Sequence, residues 1–119
     1  MEEGLTIQIK TLLDQVSFEC QEAADEAGAE VARECVRKLK QTSPKDTGDY
    51  AKGWAVKNNG DHELVVYNRT KPGLTHLLNN GHDLVNGGRY SGDGHITKVN
   101  EWAEQEYVER VNRILGVTL

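Results

Sequence analysis

Three of the four histidines crowd into one stretch of the chain: His76, His82 and His95. Three imidazoles around an open fourth position can make a catalytic zinc site, and Asp83 or Asp93 would supply a base. That reading makes the chain a small metal-dependent hydrolase. The spacing argues against it. His76 and His82 are six residues apart, which is not the one-turn interval that sets two ligands on one helix face, and no cysteine lies nearby. Histidines bonded to backbone carbonyls around a loop account for the same residues. His62, at the start of a strand-like run, reads as exposed.

Other chemistry is thinner. Gly87, Gly88, Gly92 and Gly94 fall within eight residues. Asn86-Gly87-Gly88-Arg89 lacks the Gly-Lys-Ser/Thr and the βαβ setting of a phosphate-binding loop. Ser43 and Ser91 sit in turn and loop sequences without a nucleophile elbow. The carboxylates of the first long helix repeat along one face, as on a solvated helix. Arg37, Lys38, Lys40, Lys45, Lys52 and Lys57 are the residues a DNA-binding module would use. Trp54 and Trp102 read as core residues, and one Phe and four Tyr add little to a base-stacking surface. Arg89 and Tyr90 follow two glycines and are of the types favoured at interface anchors. No cofactor is signalled.

These residues must be held by a small set of elements. Ile9, Leu12, Leu13, Val16, Cys20, Ala23, Ala24, Ala27, Val31, Cys35 and Leu39 recur at helical steps. Residues 8–40 as one helix would run about 50 Å, so a bend at Gly28 or Ser17-Phe18, or a projecting end, is expected. Leu5 to Ile9 also alternates like a strand. The small residues Ala23, Ala24, Ala27 and Gly28 would admit a close neighbour. Thr42-Ser43-Pro44 ends the helix. Tyr50 to Lys57 and His62 to Asn68 read as strands joined by an Asn58-Asn59-Gly60-Asp61 turn. Leu74 to Asn80 reads as a short helix capped by Gly81. Residues 86–94 read as a mobile loop, and Val99 to Leu115 as a helix ended by Gly116. The expectation is one α+β domain over residues 1–119: long N-terminal and C-terminal helices on a small antiparallel sheet, a short middle helix, a glycine-rich loop, and an arm at 1–17 whose order stays open.

With 119 residues, 13.3 kDa and a mean hydropathy of -0.64, the chain has room for one domain, which should bury roughly two-thirds of its unfolded surface. No apolar run approaches the roughly 18 residues of a membrane span, and MEEGLTIQIK has no apolar signal core. Residues 1–36 hold two basic and nine acidic groups, residues 37–98 ten and six, and residues 99–119 two and four. Acidic ends and a basic middle suit head-to-tail contact between copies better than a general nucleic-acid coat. Cys20 and Cys35, about 22 Å apart on one helix, cannot bridge there.

Four ordered segments carry a resemblance: Ser43-Pro44-Lys45-Asp46-Thr47-Gly48-Asp49-Tyr50, Leu74-Thr75-His76-Leu77-Leu78-Asn79-Asn80-Gly81-His82, Gly87-Gly88-Arg89 and His95-Ile96. Over roughly residues 18–115 the chain resembles the head–tail joining or tail-completion minor structural proteins of long-tailed double-stranded DNA phages. The resemblance implies a non-enzymatic virion protein, assembled in the bacterial host cytoplasm, seated where tail tube meets head connector. It implies a ring around the DNA channel. The partners would be other copies, the connector and tube proteins and, passively, DNA in the channel, with no membrane. Pro44, Asp46, Thr47, Gly48, Thr75, His76 and Gly81 would form its structural motif, and His82, Gly87, Gly88, Arg89, Tyr90 and His95 its partner-binding set. A loop that orders only against a partner fits such a role.

Overall fold

An alternating run opens the fold: β1 (Ile7–Lys10) turns Ile7 and Ile9 inward and Gln8 and Lys10 outward. The structure, a computed structural model, describes residues 4–10, 18–45 and 48–116. The helix expected from residue 8 is therefore corrected at its start, because residues 8–10 are strand. The expected core positions Leu12, Leu13 and Val16, and Ser17 as a bend site, lie outside the described residues.

α1 (Phe18–Thr42) runs uninterrupted through Gly28 for 25 residues, about 38 Å. Ala24, Ala27, Val31, Ala32, Cys35 and Leu39 are buried along it. This stripe is wide because the helix packs against the sheet and against α4 (His95–Leu115). Among the described residues the main sheet has the order β1-β3-β2, all antiparallel, with β2 at Trp54–Gly60 and β3 at Glu63–Asn68. The core joins Ile7, Ile9, Trp54 and Val66 of the sheet to Ile96, Val99 and Ala103 of α4 and to the α1 stripe. This is the expected α+β layout.

Local departures have physical causes. Tyr50 to Lys52 is a helical turn, α2 (Asp49–Lys52), not strand. Tyr50 and Ala51 are buried there, and the Asn68 side chain donates to the Tyr50 carbonyl at 2.7 Å, so a contact 18 residues away overrides the local preference. The hairpin turns two residues later than expected, at Asp61 and His62, whose φ values of 52° and 61° are those of a type I′ turn. A register shift between Asn58 and Gly60 lengthens β2 to reach it.

The acidic face of α1 is not simply solvated. Arg110 of α4 donates to Glu106 at 2.8 Å, Glu34 at 2.9 Å and Glu30 at 3.2 Å, tying the two helices together. Its pKa is pushed up, chiefly by the Glu106 hydrogen bond. His62 meets Asp25 at 2.8 Å, clasping the hairpin tip to α1.

α3 (Thr75–Asn80) follows a 3₁₀ turn at Pro72–Leu74. The stretch read as loop, 86–94, contains β5 (Arg89–Tyr90), which pairs with β4 (His82–Asp83) just before it in a small ribbon. α4 starts four residues before the expected Val99. Among the described residues no helix is long and apolar enough to cross a membrane.

Candidate functional site

The three histidines do not converge. His95 is buried at the start of α4, while His76 is exposed on α3 and the His82 ring lies against Tyr90. Both ring nitrogens of His95 are engaged: Nε2 with the Tyr50 hydroxyl at 2.7 Å, Nδ1 with the Asp93 carboxylate. Asp93 also accepts the His95 backbone N–H at 3.0 Å. The edges of Tyr50 and Trp54 close on the imidazole at ring-centre distances of 5.7 and 6.4 Å. Trp54 in turn donates its indole N–H to Ser43 at 2.8 Å, which fixes the turn after α1. Burial and nearby Asp93 and Tyr90 raise the Tyr50 pKa above its ordinary 10.0, so the phenol keeps its proton. With the phenol donating to Nε2 and Nδ1–H donating to Asp93, both ring nitrogens are satisfied. Tyr50 and His95 form a buried clamp, and Asp93, 38% exposed, closes it at the surface. Among the described residues no group of three or more His, Cys, Asp and Glu is placed to hold a metal ion.

Asn79 is a structural part of the frame that the sequence pattern does not disclose. Its Oδ1 accepts the N–H groups of Ile96 and Thr97 at 2.8 and 3.1 Å, and its Nδ2 donates to the Thr97 hydroxyl at 2.9 Å. With Asp93 on His95, this covers the first three N–H groups of α4. The only cue was an Asn-Asn-Gly helix end, and that cue points to α3, not to a cap 17 residues on. Gly81 lets the pieces meet: its φ is 89°, and a Cβ there would lie 2.3 Å from the Tyr90 carbonyl oxygen. Replacing Asn79 by alanine is expected to cost about 2–3 kcal/mol, because it strips a buried cap and orphans two N–H groups. Urea unfolding checks this; a loss below about 0.5 kcal/mol would show that α4 needs no such cap.

The predicted partner-binding residues fall on the ribbon and beside it. Its turn is closed by Leu84 N–H to the Gly88 carbonyl at 2.7 Å and Gly87 N–H to the Leu84 carbonyl at 3.1 Å. Arg89 reaches Asp83 at 3.2 Å and remains 56% exposed. Gly87 and Gly88 are exposed, Tyr90 and His82 half-buried. His95 is apart from this surface, within the core. At the apex stand Leu84, 41% exposed, and Val85, fully exposed; the sequence reading gave neither a role.

The expected structural motif is distributed through the scaffold. Thr75 is buried; its hydroxyl donates to the Pro72 carbonyl and accepts the Leu5 N–H at 2.7 Å, locking the chain entering β1 onto α3. Pro44 follows the end of α1 and Gly48 precedes α2, while Asp46 and Thr47 lie outside the described residues. Four of the six candidate DNA-binding cations have local contacts: Lys38 lies over the Trp102 ring, Lys57 over Tyr67, Lys45 bonds the Gln41 carbonyl, and Arg37 pairs with Glu34 at 3.7 Å.

The family model described as "Bacteriophage HK97-gp10, putative tail-component" matches residues 3–81. The chain belongs to this family. No curated protein and no solved structure matches it. The HK97-gp10-like match starts earlier than the resemblance read from the sequence and stops sooner: it spans β1, α1, the hairpin and α3, and ends at Gly81. The Gly87-Gly88-Arg89 ribbon and α4 lie beyond it. As an HK97-gp10-like phage tail component, the protein has its place in the virion. The matched part contains the Asn79 cap and Tyr50, and the part beyond contributes their partners His95, Ile96 and Thr97.

Proposed function

We propose that this tail component completes the end of the tail and joins it to the head connector, as a ring of copies around the DNA channel. In this reading its partners are other copies of itself and the connector and tube proteins, contact with DNA is passive, and it performs no catalysis. Assembly takes place in the host cytoplasm. The observation that carries the reading is the family match over residues 3–81. The architecture supports it: among the described residues every buried polar side-chain atom has a hydrogen-bond partner, as expected of a scaffold, and a braced ribbon offers apolar side chains to a partner.

Deleting the gene from the parent phage tests this. The expected lysate holds DNA-filled heads and finished tails lying apart by negative-stain microscopy, rejoined when purified protein is added. Joined, infectious particles without the protein would overturn the reading.

A further inference from the structure

We propose that the chain docks head to tail on copies of itself, with the Leu84–Val85 tip of the ribbon of one copy seated in the groove between β1 and α4 of the next. The inference rests on the tail-component reading for its setting and names the two surfaces of the contact.

The tip is built to be presented. Two aliphatic side chains at the apex of a turn are exposed, and the turn is braced by the two backbone hydrogen bonds. A braced tip loses little freedom on docking. The groove, of about 200 Å³, has Ile7 and Ile9 of β1 on one wall and Ala103, Tyr107 and Val108 of α4 on the other. Val108 stands 49% exposed at its edge.

Charge chooses the occupant and its direction. The groove carries Lys10 on the β1 side and Glu104 on the α4 side. The ribbon carries Asp83 and Arg89 on its two strands. Seated with Asp83 toward Lys10 and Arg89 toward Glu104, the tip meets two opposite charges; turned about, it meets two like charges. The internal Arg89–Asp83 pair is exposed on both sides, so exchanging it costs little. Tip and groove lie on different elements of one chain, so a one-way contact is heterologous and gives a ring where the rotation between copies closes.

The test uses the full chain in sedimentation equilibrium, with Val85→Asp and Val108→Asp. Both side chains are exposed, so both variants should keep the urea midpoint of monomeric wild type, measured at a dilution where wild type does not associate. Wild type is expected to self-associate, and each variant to do so at least about tenfold more weakly, since each puts a charge where an aliphatic side chain would be buried. A mixture of the two is expected to form a 1:1 dimer and nothing larger, because only one intact tip and one intact groove remain. Wild type that stays monomeric up to about 1 mM overturns the proposal. So does either variant associating like wild type, or a mixture that forms no dimer. Val85→Asp protein that self-associates normally yet fails to rejoin heads and tails would show that the tip seats on another virion protein instead, and the self-docking would be wrong. Lost association with heads and tails still rejoined would leave the docking standing and remove the joining ring.

Discussion

Replacing His95 by alanine is expected to destabilise the fold by about 3 kcal/mol or more, a large share of the roughly 5–15 kcal/mol that holds a domain of this size. The side chain is 2% exposed. Its loss leaves a cavity beside the packed Tyr50 and Trp54 rings. It also leaves the Tyr50 hydroxyl buried without its acceptor. Tyr50→Phe separates the two effects: it keeps the ring and removes only the hydroxyl, at an expected cost of about 1–3 kcal/mol. The double variant should cost less than the two single losses added, because each already breaks the same hydrogen bond. Urea titrations of the four proteins decide this. Additive losses would mean that the pair does not act as a unit, and a His95→Ala loss below about 1 kcal/mol would mean the clamp holds nothing.

His95 also shows what the sequence could and could not disclose. Periodicity is a local signal, and local signals served well. The α1 stripe, the Leu5 to Ile9 alternation and the glycine stops at Gly81 and Gly116 were all legible from neighbours within one or two turns. What failed depends on contacts between distant residues. α4 begins at His95 because Asn79, far back on α3, caps it. Tyr50 is helical because Asn68 holds its carbonyl. The three histidines looked like a cluster because they are close in sequence; the fold sends one into the core and leaves the others at the surface. The glutamates of α1 looked solvated because their partner, Arg110, lies 76 and 80 residues away. The ribbon tip was missed for another reason. Leu84 and Val85 are ordinary core types, and only their position at an apex makes their exposure informative.

Between pH 8 and pH 10 the protein is expected to lose about 1.4 kcal/mol of stability through a single thiol. Cys35 is completely buried in α1, and its pKa is pushed up from 9.0 to about 12. Burial is the main cause; neighbouring Glu34 adds to it, and Lys38 partly offsets it. Above pH 9 the thiol ionises freely in the unfolded chain, while the native thiol keeps its proton. The unfolded state therefore binds fewer protons, and stability falls as pH rises, continuing until the native thiol itself ionises near pH 12. Tyr50 contributes in the same direction, weakly as pH 10 is approached, about 0.4 kcal/mol there, and chiefly above it, because an ordinary phenol is half ionised at pH 10.0. Tyr50 is common to both proteins, so the difference between wild type and Cys35→Ala from pH 8 to pH 10 isolates Cys35. Cys35→Ala should flatten the stability profile there while lowering the whole curve by about 1 kcal/mol for the lost sulfur. Native Cys35 should also resist alkylation at pH 9 until urea unfolds the chain, since the thiolate is the reactive form. Parallel profiles for wild type and Cys35→Ala over that interval would mean that the thiol ionises alike in both states, and the buried-thiol account of the alkaline limb would be wrong.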